Sequence, residues 1–324
     1  MGRVPEISTA LTLRDRAGAW LVRWGIGRLS YLVPAGLYAI GHATSEDPVI
    51  VTANYKMSYD ILRNVLTGRR LWILVLETYG VNVWCAAGKG TFGTDELVRR
   101  IEETALSRLV THRRLIMPIL GAPGIAAHEV RSRTGFEVRY ATIRAGDLPE
   151  YLDNGMVTTS GMRQLTFSLR ERLVLIPVEL MLSLKPLAFI GFLLLSVLML
   201  LGFPYTGLLM TTAFFAAAFT GIAVTPLLLP WLPGRYFSVK GAVAGVALLL
   251  VYYLFAGSSA QNVFFTWSAF LVLPAVSAFY ALNFTGCTPF TSYSGVKKEL
   301  RIALPLMFGS IVLGSILAIV GIYC

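Results

Sequence analysis

The sequence predicts a doubly wound, Rossmann-like α/β domain followed by an all-α domain with five transmembrane helices. The first observation behind this prediction is the distribution of charge. Residues 1–172 contain 22 of the 28 Lys and Arg residues and 16 of the 18 Asp and Glu residues. The second is that strand-like and helix-like segments alternate in this charged part, whereas long apolar runs dominate residues 173–324. A charged α/β domain joined to a membrane domain accounts for both observations.

The α/β prediction depends on four strands and the helices between them. Pro48–Ala53 and Leu71–Glu77 are strongly apolar and predict buried strands, and "RLIMPIL" and "FEVRYA" predict a third and a fourth. Helical patterns follow in "SYDILRNVL", "TDELVRRIEETALSRLV" and "GDLPEYLDNG". This alternation predicts a parallel sheet, which binds ligands at the loops that leave the carboxyl ends of its strands. Three such loops are predicted: Thr52–Lys56, Thr78–Thr94 and Leu120–Gly124.

The predicted domain boundaries leave a separate N-terminal segment, 1–41, before the α/β domain (42–172) and the transmembrane domain (173–324). In this segment "RDRAGAWLVRWGIGRLSYLV" interrupts its apolar residues with Arg23 and Arg28, which is not the pattern of a signal peptide. We expect a basic amphipathic helix that either lies on the membrane or packs on the α/β domain.

The membrane domain is predicted from five apolar runs, each near the ~20 residues that cross a bilayer. Its second loop carries Arg235 and Lys240 and its fourth carries Lys297, Lys298 and Arg301, whereas the first and third loops carry no charge. Positive loops stay in the cytoplasm, so we expect a multi-pass inner-membrane protein with a cytoplasmic α/β domain and Cys324 on the opposite side. The predicted spans are Pro186–Phe203, Tyr205–Leu232, Val239–Ala256, Val263–Phe284 and Ile302–Tyr323.

Charge and cysteine content argue against several functional classes. The net charge of +10 is scattered, and five of the six basic residues of the second half lie in two short loops, so a nucleic-acid partner is not indicated. No Asp, Glu, Arg or His lies deep within the predicted spans, which argues against an ion-coupled transporter. Two roles of the membrane domain stay open: a simple anchor, and a pocket or route for a small ligand. The three cysteines form no CxxC pair and no ferredoxin-like pattern.

One cysteine lies in a predicted ligand-binding loop, in the segment "ETYGVNVWCAAGKGT" (Glu77–Thr91). The Gly-Lys-Gly of this segment is not a P-loop, because the glycine spacing is wrong and Gly90 stands where Ser or Thr is required. A hydrolytic role for Cys85 would need a histidine partner, and no local pattern links one to it. A buried packing cysteine is the other interpretation.

The sequence of this segment resembles that of the HgcA family, the corrinoid proteins of microbial mercury methylation. The resemblance rests on "NVWCAAGK" and extends through "VTANYK", "GKGTFGTDELV", "LGAPGIAAH" and the apolar tail. The α/β part also resembles the cobalamin domain in the large subunit of the corrinoid iron–sulfur protein. That protein has an iron–sulfur segment and a TIM barrel, which do not fit in the 41 residues before His42, so the membrane tail favours the mercury family.

The resemblance implies a cobalamin-dependent methyltransferase that transfers a methyl group from the cobalt of methylcobalamin to Hg(II), forming methylmercury. It implies a short helix that begins at Asn82, contains Val83–Ala87 and is closed by Gly88. Cys85 would supply a thiolate as the lower axial ligand of cobalt, where a soft anionic donor stabilises Co(III). Small side chains at Ala86 and Ala87 would let the helix lie close to the macrocycle. The implied cofactor-binding residues are Thr52, Asn54, Asn82, Val83, Trp84, Cys85, Ala86, Ala87, Gly88, Lys89, Gly90, Thr91, Gly121 and Pro123.

The resemblance also implies partners. These are a ferredoxin-like 4Fe-4S protein (HgcB) as electron donor, a methyl donor of the methyl-tetrahydrofolate pathway, Hg(II) and membrane lipid, with no nucleic acid. Cys287 is a second candidate Hg(II) ligand, against the alternative of a small buried residue at a helix end. Lys89 and Arg144 are candidate partners of corrin amides or the nucleotide tail, against the alternative of solvated surface charge. Two other functions stay open: a membrane-bound corrinoid methyl carrier of one-carbon metabolism, and a protein that senses or stores corrinoid.

Overall fold

The computed structural model describes residues 4–256, 262–288 and 290–323. The chain forms two compact units, Met1–Thr166 and Phe167–Cys324. The division falls slightly before residue 172, because the helix that enters the first apolar run begins at Leu169. The segment 1–41, expected to be separate, is part of the first unit.

The first unit contains a five-stranded sheet in the order β1-β3-β2-β4-β5. Strands β2 to β5 are mutually parallel, as the alternating pattern predicts, and β1 runs antiparallel to β3 at the edge. The α/β class is therefore confirmed. Strand β1 lies inside the segment expected to be separate, because its pairing with β3 is a contact between residues distant in sequence. The strands are β1 (Gly36–Ile40), β2 (Val49–Ala53), β3 (Leu71–Leu76), β4 (Arg114–Met117) and β5 (Glu137–Tyr140).

Seven helices and three short 3₁₀ turns connect and cover these strands. The single helix expected over "TDELVRRIEETALSRLV" is two helices, because Ala105 adopts a left-handed backbone conformation with φ 48°. The helices are α1 (Leu13–Arg23), α2 (Lys56–Val65), α3 (Val83–Lys89), α4 (Thr94–Glu103), α5 (Leu106–Leu109), α6 (Ala127–Thr134) and α7 (Leu148–Asp153). The 3₁₀ turns are Ile119–Gly124, Ala145–Asp147 and Gly161–Arg163.

The core lies on both faces of the sheet. Every residue of β2 and β3 is buried, which explains why these strands read as continuous apolar runs. One face packs against α3, α4 and α6, where Ala86, Leu97 and Val130 are buried. The other face packs against α2 and α7, where Tyr59 and Tyr151 are buried.

Helix α1 packs on the α/β unit through one carboxylate. Asp15 lies 2.5 Å from Nζ of Lys56 and 2.9 Å from a guanidinium nitrogen of Arg63, both on α2. Burial alone would raise the pKa of Asp15, but hydrogen bonds from Lys56 and Thr12 outweigh it and hold the pKa well below its ordinary value. The carboxylate is therefore charged at neutral pH and ties α1 to α2.

The second unit consists of helices, five of which are long and apolar enough to cross a membrane, as predicted. The first and last begin well before the predicted residues, since each helix extends beyond its apolar core. The helices are α8 (Leu169–Leu200), α9 (Pro204–Phe219), α10 (Thr225–Leu228), α11 (Phe237–Ala256), α12 (Val263–Asn283) and α13 (Tyr293–Tyr323). A π-helical turn, Thr220–Val224, joins α9 to α10 within the second span.

Charged side chains occur near the ends of these longer helices and have partners. The guanidinium of Arg172 donates to the carbonyls of Pro226 and Leu227, near the end of the second span. The carboxylate of Glu299 accepts from the amide and the hydroxyl of Ser238, at 2.6 and 2.7 Å. These contacts satisfy polar groups that an apolar environment would otherwise penalise.

Two cysteine predictions fall at the limits of the described structure. The backbone of Cys287 belongs to a 3₁₀ turn that follows α12, but its side chain lies outside the described part of the protein. Cys324 also lies outside the described residues.

Candidate functional site

The carboxyl ends of β2, β3, β4 and β5 open onto one cavity of ≈ 280 Å³. Because the four strands are parallel, the loops that follow them meet at this edge of the sheet. The wall is mostly apolar, with a few hydroxyl and amide groups. Lining residues include Thr52, Ser58, Ile61, Asn82, Val83, Trp84, Pro118, Leu120, Thr142 and Ala145.

Asn54 joins the loops that follow β2 and β3. Its side-chain oxygen accepts from the amides of Thr78 and Gly80, at 3.1 and 3.2 Å, and from the Thr78 hydroxyl at 2.8 Å. Its side-chain amide donates to Glu77 at 2.5 Å. Asn54 is only 1% exposed, so its contacts are with protein, and it shapes the approach to α3.

The loop between β3 and α3 turns sharply. Tyr79 and Gly80 both have positive φ values, 54° and 73°, and the amide of Tyr79 donates to Glu77. The amide of Glu77 in turn donates to Glu96 of α4. Burial alone would raise the pKa of Glu96, but this amide and the guanidinium of Arg100 outweigh it, so the pKa lies below its ordinary value.

Helix α3 carries the sequence that motivated the functional prediction. Asn82 is its N-cap, as expected, and the side-chain oxygen of Asn82 accepts the amide of Cys85 at 2.9 Å. The helix continues to Lys89 and ends at Gly90, which has φ 80°. The expectation that Gly88 closes the helix is therefore wrong, because the left-handed residue that ends it is Gly90.

Ala86 and Ala87 face the core of the domain. They are 0% and 5% exposed. Their small size therefore serves close packing inside the domain, whereas the family resemblance implied that it would let a macrocycle approach. A Cβ atom on Gly124 would lie 3.1 Å from Cα of Ala87 and 2.1 Å from the carbonyl oxygen of Phe92. A Cβ atom on Gly121 would lie 2.6 Å from the ring of Phe92. Small residues on both sides thus let α3 lie directly on the turn that follows β4.

Cys85 lies on the opposite, exposed side of α3. Trp84, which is 37% exposed, lines the cavity beside it. Gly88 and Gly90 are also exposed, and a Cβ atom on either would meet no neighbour. The outer surface of α3 therefore presents a thiol next to an uncrowded stretch of backbone.

The structure separates the sequence-predicted residues into three sets. Thr52, Asn82, Val83 and Trp84 line the cavity, whereas Asn54, Ala86, Ala87 and Gly121 are buried supports. The remaining ones lie outside the cavity wall: Cys85, Gly88, Lys89, Gly90, Thr91 and Pro123. Arg144 is exposed just beyond β5.

Sequence reasoning did not anticipate two parts of the cavity wall. Ser58 and Ile61 come from α2, and Thr142 and Ala145 come from the loop after β5. The signal for the second pair was present, because the carboxyl-end rule applies to "FEVRYA" as it does to the other strands. The α2 residues carry no comparable signal, since only the packing of that helix turns them toward the cavity.

The described residues contain no group of three or more His, Cys, Asp or Glu side chains placed to hold a metal ion. A protein-only metal centre therefore has no donor set in the described ranges. An exposed thiol such as that of Cys85 suits a metal whose other ligands come from a macrocycle.

Comparison with known proteins finds a similarity that covers the domain that forms this site. Residues 29–152 match the family model of CdhD, the CO dehydrogenase/acetyl-CoA synthase delta subunit. The match covers β1 to β5 and therefore all four strand ends around the cavity.

Curated relatives support the same similarity. The gamma subunit of the acetyl-CoA decarbonylase/synthase complex of Methanopyrus kandleri is 32% identical over 123 residues, which are 37% of this chain and 26% of that protein. The corresponding subunit of Archaeoglobus fulgidus has the same identity and coverage. That of Methanothermobacter thermautotrophicus is 29% identical over 150 residues, 46% of this chain and 31% of the relative. The chain thus spans about a quarter to a third of the length of these relatives.

Proposed function

We propose that this protein is a membrane-anchored, corrinoid-dependent methyltransferase that methylates Hg(II), with the thiolate of Cys85 as the lower axial ligand of cobalt. The observation that carries the proposal is the position of Cys85, exposed on a capped helix at the carboxyl edge of the sheet. Similarity to subunits of acetyl-CoA synthase complexes supports a corrinoid and methyl-group chemistry. The cysteine-containing segment supports mercury as the acceptor.

The residues at this edge fit a corrinoid. The thiol is a soft donor, and the exposed glycines beside it leave space for a large flat ligand. The mainly apolar cavity next to α3 suits a substituent that projects from the ring. A bound corrinoid supplies the cobalt that carries and releases the methyl group. Hg(II) is the substrate that receives it.

The protein's own residues position the thiol. Asn82 accepts the amide of Cys85 in the first turn of α3, and Gly90 ends the helix in a left-handed conformation. Gly121 and Gly124 allow α3 to rest on the turn beneath it. Trp84, beside Cys85, lines the cavity. The arrangement fixes the backbone of the helix that carries the thiol, and a positioned ligand is what catalysis by a bound metal requires.

Cys85→Ala and Cys85→Thr test this proposal in the full-length protein. We expect both variants to retain corrinoid but to lose at least ~100-fold of methylmercury formation, because neither side chain supplies a thiolate. Bound corrinoid, its visible spectrum and methylmercury made from Hg(II) are measured together. Wild-type methylation with an unchanged spectrum in Cys85→Ala would show that the cysteine does not ligate cobalt.

The second thiol is examined in the same assay with Cys287→Ala. A loss of methylation with corrinoid and spectrum unchanged would assign Cys287 a role in handling Hg(II). Methylation equal to that of the wild type would remove Cys287 from the mechanism.

A membrane-bound methyl carrier of one-carbon metabolism is the second candidate function, and the named relatives favour it. Purified protein loaded with methylated corrinoid distinguishes the two. Transfer to Hg(II) supports the first proposal, whereas exchange with a methyl-tetrahydrofolate donor but no transfer to Hg(II) supports the carrier.

Both functions need partners that supply electrons and methyl groups. The sequence has no CxxC pair, so we propose a separate ferredoxin-like 4Fe-4S protein, HgcB, as the electron donor. The proposed methyl source is a donor of the methyl-tetrahydrofolate pathway.

A further inference from the structure

Helix α1 has an apolar face that the α/β unit leaves uncovered. Its inward face carries Asp15, which is bound by α2, and Gly18, which packs on the ring of Tyr31. The outward face and the turn after it form what we call the N-terminal patch. Its apolar members and their exposed fractions are Leu13 (85%), Trp20 (67%), Leu21 (49%), Ile26 (53%) and Leu29 (72%).

Such a face is unusual on a soluble surface. A helix that packs on a domain normally turns polar residues to solvent, and contiguous exposed apolar residues mark an interaction site. The rings of Trp20 and Trp24 also stack, with centroids 6.3 Å apart, so two large aromatic side chains lie together on this helix.

The charges around the N-terminal patch are basic. Between residues 13 and 33 the sequence has four arginines, Arg14, Arg16, Arg23 and Arg28, and one acid, Asp15. Since Asp15 is neutralised by Lys56 and Arg63, the local field outside the helix is positive. Trp, Leu and Arg side chains together are the composition of helices that lie in the interface of anionic membranes.

We propose that the N-terminal patch binds an anionic lipid surface, with the tryptophan and leucine side chains among the headgroups and the arginines on lipid phosphates. Five spans in the same chain keep a bilayer permanently within reach, which raises the effective concentration of lipid for a weak interfacial site. A protein partner would account less well than a lipid surface for arginine and tryptophan side chains occurring together on this patch.

The patch also adjoins the candidate site. The carbonyl of Leu29 and the side chain of Leu32 lie against Gly80, in the loop that leads to α3. Lipid binding at the patch therefore holds the carboxyl edge of the sheet near the headgroups, independently of which reaction occurs there.

Limited trypsin digestion of the full-length protein in nanodiscs tests the proposal. We expect cleavage after Arg16, Arg23 and Arg28 to be roughly tenfold slower in discs with about one third phosphatidylglycerol than in phosphatidylcholine alone. Cleavage after Arg70 and Arg131, exposed elsewhere on the same unit, serves as the internal control and should be equal in both.

Two variants separate lipid binding from simple loss of structure. Trp20→Glu with Leu29→Glu should abolish the protection. The charge variant Arg14→Gln with Arg16→Gln, followed by cleavage after Arg23 and Arg28, should reduce it while leaving the apolar residues in place. Val157→Glu, at another exposed apolar residue (62%), should change nothing. Equal cleavage of the wild type in both lipids would refute the proposal. Equal protection in both lipids and in detergent would also refute it, because protein, either this chain or a second copy, would then cover the patch.

Discussion

At the scale of single residues, the site depends on side chains that hold its backbone in place. Asn54 is buried and bonded to both the loop amides and Glu77, so it fixes the path of the chain into α3. Asn82 then fixes the first turn of that helix through the amide of Cys85. The thiol is thus positioned by two asparagines, each of which satisfies backbone groups that would otherwise lack partners.

Asn54→Ala should loosen this loop. The substitution leaves the buried amides of Thr78 and Gly80 without acceptors, at a cost of about 1–3 kcal/mol. Hydrogen exchange of full-length protein should show faster exchange at these two amides, with a lower melting temperature. Asn64→Ala, an exposed position on α2, is the matched control and should leave both unchanged. Wild-type exchange in Asn54→Ala would mean that the turn holds its shape without the asparagine.

At the scale of elements, helix α3 has seven residues and is too short to be stable alone. Its position comes from contact with the turn Ile119–Gly124, where a Cβ atom on Gly124 would collide with the Phe92 carbonyl. Gly124, the last residue of "LGAPG", is therefore required for the packing of the helix that carries Cys85. This differs from the expectation that the loop is glycine-rich to admit a ligand.

Gly124→Ala should displace α3 from its support. We expect a loss of about 1–3 kcal/mol in the stability of the α/β unit and weaker retention of corrinoid, because the added methyl group has no space. Gly146→Ala, where a Cβ atom would meet no neighbour, is the control. Thermal unfolding and corrinoid content of the purified protein are the readouts, and wild-type values for both in Gly124→Ala would contradict the packing argument.

At the scale of the whole molecule, an α/β unit and a membrane unit share one chain. The positive loops of the membrane unit favour a cytoplasmic position for the second and fourth loops and, with it, for the α/β unit. That orientation would place the candidate site on the cytoplasmic side of the membrane.

Epitope tags inserted after Gly202 and after Gly234 test this orientation. The first loop should be labelled from outside intact spheroplasts, and the second only after the membrane is permeabilised, because Arg235 and Lys240 retain it inside. Both glycines have positive φ values, 87° and 89°, in turns between helices. Labelling in the reverse order would place the α/β unit outside the cell.

Elements with a local signal could be predicted from the amino-acid pattern alone. Strands β2 and β3 were predictable because burial on both faces produces continuous apolar runs. The five spans were predictable because a helix needs about 20 apolar residues to cross a bilayer. The helix start at Asn82 was implied by the family resemblance, and asparagine is a favoured residue at that position. The carboxyl-end rule then indicated three of the loops around the cavity.

The face that each residue presents became known from the three-dimensional packing. The structure settles this at α3 and at the N-terminal segment. It assigned Ala86, Ala87 and Gly121 to packing and left Cys85 exposed, because the orientation of a seven-residue helix depends on what it packs against. It also made Gly36–Ile40 an edge strand and anchored α1 through Asp15. Such contacts join residues far apart in the chain, and their energies depend on shapes that no local pattern encodes.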